Sequence, residues 1–382
     1  MLKKVLTAMA ASLVGLLLVS GCAANEGPAT TPTTGEVADT ATDTAPDATG
    51  AVPDAQLSGE LNGAGASAQT AAQEAWKAGF SGLNPGVTVN YDPQGSGPGR
   101  QQFQEGAADF VGTDAAFKSE ELAEGAFPQC SAAEIVEIPA YISPIAVVFN
   151  LDGISSLNLD PATIAGIFTG AITSWNDPAI AATNEGVDLP DATIVPVHRS
   201  DKSGTTGNFT NYLSATAEAV WTEGTVEEWP LGGGEAAEKT QGMKETVGAA
   251  NGTIGYIDAS QAGDLGTAAI RVGDQWVSHS AEGAALAVAA SELEEGRGPG
   301  DLAFKLNRTT TEAGAYPLVL VSYLVACQTY ADPAKGALTK AYFDYVISDA
   351  GQQGAAANAG SAPLQGDPGL AEKVKVAVES IN

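Results

Sequence analysis

The stretch from residue 55 to residue 125 constrains the fold more than any other part of the chain. Short β-like runs, each closed by a small-residue turn and followed by a helical run, recur there three times. "AQLSGELNGAGAS" leads into "AQTAAQEAWKAGF", "GVTVNY" leads through "DPQGSGPG" into "RQQFQEGA", and "ADFVGTD" precedes the charged "KSEELAEG". Strand, glycine-rich turn and helix in that order predict an open α/β sheet. In such sheets ligands bind beyond the carboxyl ends of strands, where helix N-termini converge, so the turns are the candidate site.

Further along, "EIVEIPAYISPIAVVFN" is apolar and β-branched enough for two buried strands, broken at Pro139 or Pro144. A second α/β stretch follows, with the helix "DPATIAGIFTG", the turn "TSWNDPAI", the strand "ATIVPVH" and the loop-and-helix "HRSDKSGTTGNFTNYL". "GTIGYID" and "YPLVLVSYLVA" are expected to be later strands. With 382 residues the chain has room for two domains of ordinary size, and no fixed-period repeat is present.

The N-terminus is of a different kind. Lys3 and Lys4 precede an apolar run from Val5 to Val19, the charge-then-apolar order of an export signal, and the run is short for a membrane span. It ends in Val19-Ser20-Gly21-Cys22, which resembles the lipobox of bacterial lipoproteins and implies cleavage before a lipidated Cys22. Residues 1–22 are therefore expected to be a lipoprotein signal peptide. Residues 23–56, rich in Ala, Thr, Pro, Gly and Asp, are expected to be a disordered tether outside the membrane. An exported chain permits a disulfide, and Cys130 and Cys327 are expected to pair, the alternative being two buried thiols.

An excess of 46 Asp+Glu over 17 Lys+Arg removes the basic footprint that nucleic acid or an anionic membrane surface would need, so no nucleic-acid partner is expected. Several catalytic motifs are nearly complete. Gly63 to Ala68 fits the G-x-G-x-x-A form of a dinucleotide fingerprint, with Asp92 as the ribose acid. But its strand is polar, and no nicotinamide cofactor is expected outside the cell. "GGEAAEKT" (233–240) has the spacing of a phosphate-binding P-loop until Glu238 stands in place of its last glycine. Lys202-Ser203-Gly204 looks like an element of penicillin-interacting enzymes, yet the chain has no S-x-x-K and no G-x-S-x-G. His198 and His279 lie far apart, so neither a zinc site nor a Ser-His-Asp triad is expected.

What remains is a set of short loops, each after a strand and before a helix: Gly65-Ala66-Ser67, Gly95-Ser96-Gly97, Thr113-Asp114 and Ser203-Gly204-Thr205. Helix N-termini carry unpaired N–H groups and a partial positive charge, and small residues let an oxyanion approach them. For any one loop, ordinary capping by Ser or Thr is an equal explanation.

Over about residues 57 to 380 the sequence resembles the phosphate-binding proteins of bacterial phosphate ABC transporters. The likeness is carried by "LNGAGAS…W", "VNYDPQGSG", "ADFVGTDA", "IFTGAITSWNDPAI", "VPVHRSDKSGTTGNFTNYL", "GTIGYID" and "YPLVLVSYLV". It implies a two-lobed periplasmic-binding-protein type II fold with the ligand cleft between lobes. The first lobe would comprise 57–143 and 316–382, and the second 144–315, with crossings near 144–148 and 314–319. It also implies that Ser67 and Ser96 offer hydroxyls and amides to phosphate and Ala68 an amide. Asp114 would accept a hydrogen bond from the anion and Arg199 would donate guanidinium N–H groups. Ser203, Gly204 and Thr205 would add amides and hydroxyls, and Asp201 would brace Arg199. Two departures stand out: Ala68 replaces a usual aromatic, and Pro98 replaces a common glycine and has no N–H to give.

The expected function is phosphate capture and delivery to an ABC permease, without catalysis, metal or cofactor, by a protein held to the outer face of the cytoplasmic membrane through Cys22. Two alternatives remain at this stage. One is a binder of another oxyanion such as sulfate, molybdate or an organophosphate; the other is a secreted serine hydrolase using Ser203 with Lys202.

Overall fold

The computed structural model describes residues 57–382; the expected signal peptide, Cys22 and the tether lie outside the described residues. In chain order the strands are β1 (Gly59–Gly65), β2 (Val87–Asp92), β3 (Phe110–Thr113), β4 (Ile135–Asn150), β5 (Ser156–Leu159), β6 (Val195–Arg199), β7 (Glu235–Ala237), β8 (Thr253–Asp258), β9 (Gly266–Val272), β10 (Gln275–Val277), β11 (Glu292–Leu293), β12 (Phe304–Lys305) and β13 (Val319–Cys327). Eleven of them make one curled mixed sheet whose main path is β2-β1-β3-β13-β4-β8-β6-β7, with β9 on β4 and β5 and β10 on β9. Strand, turn and helix alternate as expected, and the elements build a mixed α/β fold around the curled sheet.

The segment expected to be two strands is one. β4 runs unbroken through sixteen residues, but its antiparallel partner changes: β13 from Ile135 to Pro144, and β8 from Ile145 to Asn150. Both prolines sit where a missing N–H is tolerated. Pro139 lies at a register shift opposite Ser322 and Tyr323, and Pro144 stands at the handover. One strand thus belongs to both lobes.

Every residue of β13, and every residue of β4 except Asn150, is buried, which explains their nearly continuous apolar sequence. The charged exception within β4 is Glu137. It accepts from Arg297 Nη2 at 2.8 Å and from the Phe117 amide at 3.0 Å, and its own backbone bonds residues Gly300 and Leu302. Burial pushes its carboxyl up, with Asp301 adding to the rise and the Arg297 charge opposing it. Residues 297–304 thereby lie against the β13-paired half of β4, with the Phe304 amide donating to Tyr323 OH at 2.9 Å.

Local chemistry sets the helix starts. Asp160 accepts from the Thr163 amide with Pro161 in the first turn, and Asp332, Ser348 and Asp367 cap the three C-terminal helices in the same way. These helices return to the β1 side of the sheet, where Trp76 Nε1 donates to the Gly351 carbonyl at 2.9 Å.

Cys130 and Cys327 form the expected disulfide. It ties the segment before β4 to the end of β13 across 197 residues of sequence. Closing so long a loop restricts the unfolded chain, and its removal is expected to cost about 2–5 kcal/mol. Reduction, or Cys327→Ala, should lower the melting temperature measured by calorimetry, and unreduced, denatured protein should show no thiol labelling at either position; free thiols at both would disprove the pairing.

Candidate functional site

β1 ends at Gly65, and two features require glycine there. Its φ is +138°, and a Cβ would stand 1.9 Å from the Gly112 carbonyl oxygen on β3. The chain then turns through Ser67–Gln69 into the helix Thr70–Leu83. After β2, Gly95 turns into the helix Ser96–Gln104; after β3 comes Asp114; and after β6 the loop 200–203 opens the helix Gly204–Thr216.

The four loops meet. Ser67 Oγ lies 3.0 Å from Thr240 Oγ1 and accepts from the Thr240 amide at 3.1 Å. Ser96 Oγ accepts from the Asp114 amide at 3.1 Å, and the Gly97 amide donates to the Lys202 carbonyl at 3.3 Å. Thr205 Oγ1 donates to Asp114 Oδ2 at 2.9 Å, and Asn208 Nδ2 donates to the Asp114 carbonyl at 2.6 Å. Gly204 is packed so closely here that a Cβ would stand 2.6 Å from Ser96 Oγ and 2.8 Å from Asp114 Cβ. Residues from the β1 side and the β6 side therefore enclose one buried cluster.

Its donors are what helix starts leave over. Among the described residues, the backbone amides of Ser67, Ala68, Ser96, Gly204 and Thr205 have no protein acceptor. Arg199 is 2% exposed; Nε donates to Asp201 Oδ1 at 2.7 Å, Nη2 pairs with Asp201 Oδ2, and Nη1 has no protein acceptor among the described residues. The Arg199 amide donates to Tyr256 OH at 3.3 Å, fixing the base of the side chain. Burial pushes the Asp201 carboxyl up, but the Arg199 hydrogen bond and charge and the Lys239 amide outweigh it and hold it below its usual range.

Asp114 is a buried acidic side chain on the opposite side of the cluster from the Arg199–Asp201 pair. Its Oδ1 accepts from Ser322 Oγ at 2.6 Å and its Oδ2 from Thr205. Burial holds its pKa above the ordinary carboxylate value; the Ser322 and Thr205 hydroxyls and the Arg199 charge oppose the rise, and Glu227 adds to it. A carboxylate oxygen has more than one acceptor site, so each keeps room for a further donor.

Two sequence expectations need amending. The Ser203 amide donates to the Glu227 carbonyl at 2.9 Å and is not free; its hydroxyl accepts from the Thr206 amide as a helix cap and retains one proton to donate. The "GGEAAEKT" segment, set aside because of Glu238, contributes Thr240 beside Ser67 and the Lys239 amide on Asp201. Ser322 was also missed as a site residue, although a lone serine within the apolar "YPLVLVSYLVA" is a visible signal. Nothing in the sequence singled out Asn208. A groove of about 860 Å³ borders the cluster at Asp114 and is lined by Asn208, Glu227, Arg297, Arg308 and Tyr323. The groove lies beside the acceptor-free amides rather than around them.

Asp201→Ala removes the brace on Arg199 and is expected to weaken anion binding about tenfold, the scale of one misaligned charge-assisted hydrogen bond. Because the folded-state pKa of Asp201 is depressed, its stabilising contribution is present above the ordinary carboxylate range and is lost as pH falls through the folded value. Melting curves of wild type and Asp201→Ala should therefore differ at neutral pH and converge in acid; a constant difference would refute the ion-pair role.

The profile of the PBP superfamily domain matches residues 40–350. Phosphate-binding protein PstS2 of Mycobacterium bovis is 34% identical over 302 residues, which cover 77% of this chain and 80% of that protein. Phosphate-binding protein PstS 3 of Mycobacterium tuberculosis is 36% identical over 301 residues with the same two shares. A solved high-affinity periplasmic phosphate-binding protein (PfluDING) bound with phosphate superposes with a TM-score of 0.67 at 22% identity, covering 83% of this chain and 93% of that one, and supports the fold. With a superfamily profile over most of its length and relatives above one-third identity, the chain belongs to the PstS-type phosphate-binding proteins of the PBP superfamily.

Proposed function

We propose that the chain captures inorganic phosphate outside the cytoplasm and delivers it to an ABC-type importer, with no catalysis of its own. The observation that carries this reading is the pairing of acceptor-free amides and Arg199 Nη1 with one buried acceptor, Asp114, in a single enclosed cluster. Ser67, Ala68, Ser96, Gly204 and Thr205 supply amides, and Ser67, Ser96 and Ser203 supply hydroxyls, whereas the one hydroxyl proton of Thr205 is already given to Asp114. Arg199, braced by Asp201, grips two oxygens at once. Ala68, lacking the usual aromatic ring, still offers its amide, whereas Pro98 offers none.

Selectivity follows from Asp114. An anion that carries a proton can donate it to the carboxylate; one without a proton leaves two like charges facing each other with no hydrogen bond between them, at a cost of several kcal/mol. Phosphate carries that proton near neutral pH and sulfate does not. With each donor contributing on the order of 1 kcal/mol net, micromolar or tighter affinity needs no large positive charge.

The lobes would comprise 57–143 with 316–382, and 144–315, hinging near 144–148 and 314–319. Support comes from the handover of β4 at Pro144 and Ile145 and from the pairing of Val319 with Pro144. The body would be tethered by a lipid on Cys22, and the partner at the membrane would be the permease. Against a hydrolase, the Ser203 hydroxyl caps a helix and Lys202 Nζ lies 3.9 Å from both Glu121 and Glu227.

Calorimetric titration of the purified body should show phosphate binding at micromolar or tighter Kd and no comparable sulfate or molybdate binding, and Asp114→Asn should relax sulfate rejection. Equal wild-type affinity for sulfate, or covalent labelling of Ser203 by a fluorophosphonate, would defeat the proposal. Labelled palmitate should enter the full-length chain in cells and fail to enter Cys22→Ser; equal incorporation in both would remove the anchor.

A further inference from the structure

A line of buried side chains runs from the helix Pro333–Ile347 to Asp114, and all its hydrogen bonds point the same way. Tyr342 OH donates to Gln73 Oε1 at 2.8 Å, and Gln73 Nε2 donates to Gln69 Oε1 at 2.9 Å. Gln69 Nε2 donates to Ser322 Oγ at 2.6 Å and to the Tyr323 carbonyl at 3.0 Å, and Ser322 Oγ donates to Asp114 Oδ1 at 2.6 Å. The Tyr323 carbonyl has no proton, so the Gln69 atom facing it is the amide nitrogen. Gln69 Oε1 is then left for Gln73. Ser322 must accept from Gln69, and its only proton goes to Asp114. None of Gln69, Gln73, Ser322 and Tyr342 is more than 1% exposed, so the chain is shielded from bulk solvent.

We propose that Ser322 and Gln69 are positioning residues for anion selectivity: the directed chain from Tyr342 holds Asp114 as an acceptor, so that the cradle keeps only an anion with a proton to donate. This inference rests on the phosphate reading above. Hydrogen bonds donated to a carboxylate favour its charged form, whereas burial favours the protonated one. The charged and titratable groups facing Asp114 are Arg199, which favours ionisation, and Glu227, which opposes it, with the Tyr91 phenol nearby. Without the Ser322 proton the balance moves towards a protonated Asp114. A protonated Asp114 becomes a donor, and a donor welcomes sulfate.

The test is calorimetric titration with phosphate and with sulfate, from mildly acidic to mildly basic pH, on wild type, Ser322→Ala, Gln69→Leu and Ser322→Thr. In Ser322→Ala the phosphate-to-sulfate affinity ratio should fall about tenfold or more at neutral pH. Its decline on acidification should begin at higher pH than in wild type. Gln69→Leu, which frees the Ser322 hydroxyl to turn away, should shift the profile in the same direction, and Ser322→Thr should restore the wild-type profile. The second ionisation of phosphate is common to all variants, so each shift is read as a difference from wild type. Should Ser322→Ala fail to fold, Gln69→Leu decides by the same readouts. Equal weakening of both anions with an unshifted profile would overturn the relay while leaving the phosphate reading intact. A wild type without phosphate preference would overturn both.

Discussion

Both walls of the anion cradle hang from one strand. β4 is laddered to β13 as far as Pro144 and to β8 from Ile145 onward, so a single buried backbone joins the two halves of the sheet. β13 carries Ser322, which reaches Asp114, and β8 carries Tyr256, which reaches Arg199. The acceptor and the cation of the site are thus each one side chain removed from β4.

A chain of net charge −29 can hold an anion because long-range charge and local geometry are separate problems. Helix starts present dipoles and spare N–H groups at hydrogen-bond range, and the single Arg199 is already neutralised by Asp201. Little net positive charge is therefore needed, and the surface remains free to be acidic. The same logic makes Asp114 tolerable: its charge is met by two hydroxyls and the nearby Arg199 before any ligand arrives. What it adds is discrimination between anions by their protons.

Much of this was legible in the sequence. Strand, small-residue turn and helix in "GELNGAGAS" and "TVNYDPQGSG" disclosed the α/β class and the loops, and "HRSDKSGTT" disclosed the arginine and its brace. β4 was misjudged because prolines ordinarily end strands, whereas here they fall at a register shift and a change of partner, which only the neighbouring strands reveal. Thr240 was missed because its segment was judged as a rival motif rather than as a neighbour of Ser67. The free amide assigned to Ser203 was lost to the Glu227 carbonyl, a pairing across more than twenty residues that no local pattern encodes.

By itself, then, the sequence determined what is local: the elements, the capping side chains, the glycines that permit close backbone approach, and the kinds of donor each loop can offer. Tertiary structure decided what is relative. It chose which amides stay without acceptors, joined Cys130 to Cys327, and set Gln69, Gln73 and Tyr342 in line behind Ser322. The reason is physical: a hydrogen bond's direction depends on every partner its atoms meet, and residues 69, 322 and 342 meet only once the sheet has brought distant segments together.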